Sequence, residues 1–198
     1  MLSWLRGAVR TLPGSPFFHL RALTSLPRSH TLIWLEALAS TLGRIQQQFG
    51  PHPRQFHRFN DMLDVLAADS HLRGHLIARV RDPNPIQHRL PAQDAFMALA
   101  VYLCHPYPVL HPGVHRLLVS LCHQQGYDPV HLARWYERHG IQTQLYREDC
   151  QRIGAHWLDD YETLRQAYRK FRSTAHPDRK GSTDTFLQAE HIAERLEL

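Results

Sequence analysis

Lysine is nearly absent from this 198-residue chain. It occurs only at positions 170 and 180, so all but two of the 23 basic residues are arginines. A nucleic-acid-binding patch would require clustered basic residues, whereas these arginines are scattered along the chain. Although the formal net charge is +5 and the isoelectric point is about 9.4, we therefore expect no nucleic-acid partner.

Cysteine is also scarce. The three cysteines, Cys104, Cys122 and Cys150, form an odd set with no C-x-x-C pair, which excludes a disulfide framework. Cys104 and Cys122 lie within apolar helical patterns, where a free cysteine usually behaves as a small buried hydrophobe. Reduced thiols of this kind fit a cytoplasmic protein best.

Long apolar runs are missing as well, because none reaches the roughly 18–20 residues that a membrane-spanning helix needs. Acidic residues are absent from residues 1–35, which carry four arginines together with serine, threonine and leucine. We expect residues 1–28 to form an arm packed on the domain that follows. The alternatives are a targeting segment for an organelle matrix, or attachment to a membrane surface through residues 1–35.

Motifs for catalysis are lacking too. The chain has no glycine-rich phosphate loop, no G-x-S-x-G and no carboxylate pair placed for acid–base work, so we predict that it is not an enzyme and holds no cofactor. His71 and His75, like His111 and His115, stand four residues apart, a spacing that can share a metal on one helix face. Neither pair has the glutamate of H-E-x-x-H, and the neighbouring cysteines extend them to no known structural-zinc spacing. We therefore predict no metal site.

Apolar residues at helical spacing are abundant. Through residue 140 they recur three and four positions apart between proline- and glycine-containing turns, and no alternating strand pattern competes. The spacing predicts an all-α domain, residues 1–140, of about six helices, over residues 29–49, 53–68, 70–80, 91–104, 112–125 and 128–139. Ser70 and Asp128 are expected to cap two of these helices. No flexible linker follows, so we expect this domain to pack on the remaining residues.

A basic helical pattern ends at the tripeptide His176-Pro177-Asp178. Two stripes run along this predicted helix, one apolar and one cationic, so that one face packs and the other stays in water. The apolar stripe comprises Leu164, Ala167, Phe171 and Ala175, and the cationic stripe comprises Arg165, Arg169, Arg172 and His176.

A second helix follows the tripeptide. Pro177 ends the first helix because proline has no N–H to donate, and Gly181 then lets the chain turn. Ser182 or Thr183 can cap the second helix. The two helices are expected to pack as an antiparallel hairpin with the tripeptide on the connecting loop. The apolar positions of the second helix are Phe186, Ala189, Ala193 and Leu196.

This pattern resembles the J domain. In that family the His-Pro-Asp tripeptide lies on the loop between the second and third helices, which residues 164–196 match, and residues 148–154 match the short first helix. Cys150 and Ala175 stand where the family often has larger, aromatic residues, so we expect a thin core near the loop. The resemblance implies a J domain over residues 146–198 beside residues 1–140, which carry no such resemblance.

The function implied by this resemblance is that of a co-chaperone. It would bind an ATP-bound DnaK-type heat-shock chaperone and accelerate its ATP hydrolysis, while residues 1–140 select an unknown client protein or a location. Cationic side chains would meet an acidic surface of the chaperone, and the tripeptide, Asp178 above all, would trigger hydrolysis. Two alternatives are an adaptor or structural protein with an inactive J-like domain, and a basic membrane- or nucleic-acid-associated protein. The residues implied in partner binding are Arg165, Tyr168, Arg169, Lys170, Arg172, His176, Pro177, Asp178 and Arg179.

Overall fold

The fold is built from α-helices. The computed structural model describes residues 28–66, 69–86, 89–91, 93–179 and 181–198. Within these ranges the chain forms nine α-helices and no β-strand, which confirms the predicted all-α fold. The extended pairing found there is an isolated parallel bridge between Val109 and Gln142. The arm or targeting segment predicted for residues 1–28 lies outside the described residues, apart from Arg28.

The helices follow the predicted order. The first six correspond to the six that apolar spacing predicts, and the last three lie within residues 144–196. Residues 146–198, which resemble a J domain, are called the J-like segment below. A 3₁₀ turn, Pro129–His131, leads into the sixth helix, and a second, Pro177–Arg179, joins the last two. The bounds are α1 Arg28–Phe49, α2 Pro53–Leu66, α3 Ser70–Arg81, α4 Gln93–Cys104, α5 Pro112–Gln125, α6 Leu132–Arg138, α7 Gln144–Arg152, α8 Tyr161–Ala175 and α9 Thr183–Leu196.

The two predicted N-caps have different outcomes. Asp128 is a cap, because its carboxylate accepts a hydrogen bond from the Val130 N–H at 3.0 Å. Ser70 is not one. Asp69 takes that role at α3, with an extended backbone and a carboxylate that accepts from the His71 N–H at 2.8 Å, which leaves Ser70 as the first helical residue.

The Cα positions divide the chain into two compact units. Among the described residues, the first runs from Arg28 to Pro106 and includes Cys122–His139, and the second comprises Tyr107–Leu121 and Gly140–Leu198. Residues 107–121, which include most of α5, therefore group with the J-like segment and not with the residues that precede them. The unit that carries the J-like segment is larger than the predicted range of residues 146–198.

The first unit has its core around α1 and α4. Trp34 is fully buried, packs edge-on against Phe96 at 5.6 Å between ring centroids, and donates from Nε1 to the Pro91 carbonyl oxygen at 2.9 Å. At Gly43 the first and third helices approach so closely that a Cβ would overlap the Val80 carbonyl oxygen. Buried apolar side chains along α1 and α4 continue this core.

In the second unit α8 and α9 pack against each other, and α9 also contacts α7. The predicted stripes are confirmed at five buried positions, and Ile192 is buried in addition. The other three stripe positions, Ala167, Phe171 and Phe186, are half-buried, so the stripes are confirmed there only in part. The Phe186 ring contacts the His176 ring edge-on and lies under the Arg172 guanidinium. The five confirmed positions are Leu164, Ala175, Ala189, Ala193 and Leu196.

The first part of α5 completes this unit through two side chains. His115 is buried, stacks on Trp157 with ring centroids 5.1 Å apart, and has Nε2 2.8 Å from the Trp157 carbonyl oxygen. Because a carbonyl only accepts, Nε2 carries the proton of that bond. Arg116 donates from Nη1 to the Leu196 carbonyl oxygen at 2.6 Å and from Nη2 to Glu197 Oε2 at 3.1 Å. Residues 107–121 thus hold the end of α9.

Candidate functional site

The candidate site begins with α8, whose two ends are well defined. Asp160 caps its start, with a carboxylate that accepts from the Thr163 N–H at 2.8 Å. The helix ends at Ala175 because His176 takes an extended backbone, φ −64° and ψ 132°, as residues before proline prefer. The tripeptide therefore leaves the helix at a fixed point.

A hydrogen-bonded turn holds the tripeptide. The His176 carbonyl oxygen accepts from the Arg179 N–H at 2.9 Å and from the Gly181 N–H at 3.1 Å. Arg179 Nη1 also donates to Ser173 Oγ at 2.6 Å, which ties the turn back to α8. Because two of these bonds converge on the His176 carbonyl oxygen and the third links the turn to α8, the turn presents its side chains in a defined direction.

His176 and Asp178 differ in how firmly they are held. The His176 ring packs edge-on against Phe186, with 5.2 Å between centroids, and its Nδ1 accepts from the Asp178 N–H at 3.2 Å. The neutral imidazole therefore carries its proton on Nε2. The Asp178 carboxylate is 86% exposed and lies 3.5 Å from His176 Nδ1 at its nearer oxygen. The turn thus carries an exposed carboxylate beside Nδ1 and a ring N–H on the other imidazole nitrogen, Nε2.

A surface groove runs along α8 to this turn. It gathers the predicted partner-binding residues except Pro177, which is exposed within the turn, and Lys170, which is exposed elsewhere on α8. Sequence reasoning did not place Tyr161, Ser173 or Leu198 in this set. The lining residues are Tyr161, Arg165, Tyr168, Arg169, Arg172, Ser173, His176, Asp178, Arg179 and Leu198.

Glu190 on α9 fixes one side of the groove, and the sequence patterns did not single it out. Its Oε1 accepts from Tyr168 Oη at 3.0 Å and from Arg172 Nε at 2.6 Å. Partial burial, and then the hydrogen bond to Glu190, raise the pKa of Tyr168, so the phenol stays a donor at neutral pH. Arg172 also lies over the Phe186 ring, 5.4 Å from its centroid. Arg165 and Arg169 remain exposed and lead the cationic face.

The other candidates from the sequence do not converge on a site. In the part of the chain that the structure describes, no group of three or more histidine, cysteine, aspartate or glutamate side chains is placed to hold a metal ion. His75 pairs with Glu36, Nε2 to Oε1 at 2.8 Å, and burial raises the pKa of the Cys104 and Cys122 thiols, the latter to about 12. Among the described helices, none has the length and apolar character to cross a bilayer.

Comparison with known proteins adds no relative. No family model, curated protein or solved structure matches the chain. A function has to be inferred from the residues of the chain itself, and the groove along α8 is the site where the predicted residues meet.

Proposed function

We propose that this chain is a J-domain co-chaperone of a DnaK-type heat-shock chaperone. The observation that carries the proposal is the groove along α8, in which the cationic face and the tripeptide turn are continuous. The turn joins two packed helices, α8 and α9, and it is held by backbone hydrogen bonds, as a rigid trigger requires. The proposed J domain also includes residues 107–121, because they belong to the same compact unit.

Docking would be electrostatic at first. Arg165 and Arg169 are exposed on one face of α8, and an acidic surface of the chaperone would be attracted to them over a distance of about a Debye length, about 8 Å at physiological salt. Such attraction speeds association more than it strengthens the final complex. Arg172 is already paired with Glu190, so it would give orientation more than net charge.

The tripeptide would act once the chain has docked. The exposed Asp178 carboxylate would be the acceptor and the Nε2–H of His176 the donor that the turn presents. Inserted into a polar network of the chaperone, these two side chains would favour the arrangement of the chaperone that hydrolyses ATP over its resting arrangement. They can shift that equilibrium only as far as they bind the first arrangement more tightly than the second. All bond breaking belongs to the chaperone, so this chain supplies no catalytic group.

The first compact unit would supply selectivity. It has its own core around Trp34 and Phe96, so it can present a surface of its own to a client protein or a cellular site. Under the alternative of an adaptor with an inactive J-like domain, the same groove would bind an acidic partner without any effect on ATP hydrolysis.

The experiment is a single-turnover assay. A purified DnaK-type chaperone loaded with ATP is mixed with the full-length chain, and the rate of hydrolysis is measured with wild type, His176→Gln and His191→Gln. His191 is the control because it is exposed on α9, outside the groove. We expect acceleration by wild type and by the control, and none by His176→Gln. Binding without acceleration by wild type would favour the adaptor alternative.

A further inference from the structure

The close approach of Gly181 to the tripeptide turn has no counterpart in the sequence patterns. A Cβ at position 181 would overlap both atoms of the Ala175 carbonyl and would lie 2.9 Å from the His176 carbonyl oxygen. The backbone torsion φ of Gly181 is not in the left-handed region, so conformational freedom is not what requires glycine here. The requirement is space, since the atoms it meets belong to the backbone and can move only if the chain itself moves.

The atoms that Gly181 meets are those that set the direction of the trigger. The Ala175 carbonyl belongs to the peptide bond that enters His176, and the Gly181 N–H donates to the His176 carbonyl oxygen at 3.1 Å. A side chain at position 181 must therefore break this hydrogen bond or rotate the peptide that precedes His176. Either change would move the backbone that carries the His176 ring, which now packs against Phe186 with 5.2 Å between ring centroids.

We propose that Gly181 is a positioning residue that sets the orientation of the His176-Pro177-Asp178 turn through its backbone contact with the Ala175 carbonyl. The expected effect in the chaperone assay rests on the proposed function, whereas the backbone contact of Gly181 is independent of it. Arg165 and Arg169 lie one turn or more back along α8, so docking through the cationic face should survive a displaced turn. Binding and stimulation should then separate.

The test compares Gly181→Ala with Ser182→Ala in the full-length chain. Ser182 is the matched control because it is the neighbouring residue and caps α9, with Oγ accepting from the Thr185 N–H at 3.1 Å. Its loss should weaken the start of α9 without touching the turn. We expect Gly181→Ala to keep the affinity of wild type for the ATP-loaded chaperone but to lower the maximal single-turnover rate about tenfold or more. Ser182→Ala should keep both.

Two further measurements do not need the chaperone. In nuclear magnetic resonance spectra, Gly181→Ala should shift the imidazole nitrogen signals of His176 and the amide signal of Arg179, and Ser182→Ala should leave them in place. In wild type, the Gly181 amide should be protected from hydrogen exchange by its bond to His176. The exchange measurement decides the geometry even if Gly181→Ala does not fold.

The outcomes separate this inference from the proposed function. A folded Gly181→Ala that reaches the wild-type maximal rate, or a Ser182→Ala that loses as much, would overturn the positioning role. If the wild-type chain accelerates no DnaK-type chaperone, the proposed function fails, and the positioning role is judged by the spectra. Unchanged His176 signals in Gly181→Ala, or an unprotected Gly181 amide in wild type, would then overturn it, and shifted signals with a protected amide would support it.

Discussion

The ion pair between Asp149 and Arg195 is predicted to be a main support of the second compact unit. Asp149 on α7 is buried, with its side chain 1% exposed, and it accepts two hydrogen bonds from Arg195 on α9, Nε to Oδ2 and Nη2 to Oδ1, each 2.7 Å long. The hydrogen bonds to Asp149 raise the pKa of Arg195 above its ordinary value, so the guanidinium stays charged. This pair joins α7 to α9, the helix that packs beside the tripeptide turn.

Arg195→Ala would leave the Asp149 carboxylate buried without its partner. Breaking a buried ion pair from one side typically costs about 3–5 kcal/mol. The Arg195 side chain is 40% exposed, so water can replace part of the lost interaction, and we expect about 2–3 kcal/mol. Glu194→Ala is the control, since Glu194 is adjacent on α9 with its side chain 84% exposed, and it should change stability by less than about 0.5 kcal/mol.

Amide hydrogen exchange in the full-length chain is the assay, because it reports each unit separately where a single unfolding curve would mix them. Peptides from residues 140–198 should lose protection in Arg195→Ala by the predicted free energy, and Glu194→Ala should resemble wild type. A double-mutant cycle with Asp149→Asn should give a coupling free energy of about 1.5 kcal/mol or more. Equal effects of Arg195→Ala and Glu194→Ala, or strict additivity in the cycle, would refute the reasoning.

Two further predictions concern the groove and the thiols. Arg165→Glu combined with Arg169→Glu should weaken binding to the ATP-loaded chaperone, and the affinity of the wild type should fall as salt rises. The control is Arg152→Glu, which should have little effect because Arg152 is exposed outside the groove. If the double variant keeps the wild-type affinity at low salt, the cationic face is not the docking surface. Burial raises the pKa of Cys122 and of Cys150 to about 12, so only about one thiol in 10⁴ is ionised at pH 8. Because the thiolate is the reactive form, labelling by a thiol reagent should be roughly 10³-fold slower than in the unfolded chain. Rapid labelling of the native chain at either position would contradict their burial.

The helices could be predicted from the sequence because apolar spacing is local. Residues three and four apart share a face wherever the helix packs, so α1 and α8 follow directly from the pattern. The tripeptide and the cationic stripe are equally local, and they meet in one groove because a single helix carries most of them.

The rest depends on which faces meet, and local spacing does not encode that. The apolar face of α5 suits either unit, so the grouping of residues 107–121 with the C-terminal helices was missed. Glu190 looks like an ordinary surface residue until the pairing of α8 with α9 places it beside Tyr168 and Arg172. For Gly181, the sequence indicated a turn, whereas the structure shows that lack of space is the reason for glycine.

The central claim is that the tripeptide turn triggers ATP hydrolysis in a DnaK-type chaperone. The most direct measurement is the single-turnover hydrolysis rate at saturating full-length chain, compared among wild type, Asp178→Asn and Asp184→Asn. Asp184 is a matched control because it is an exposed aspartate in the first turn of α9, outside the groove. We predict acceleration of about tenfold or more by wild type and by Asp184→Asn, and none by Asp178→Asn, although it still binds. Acceleration by Asp178→Asn equal to that by wild type would contradict the account.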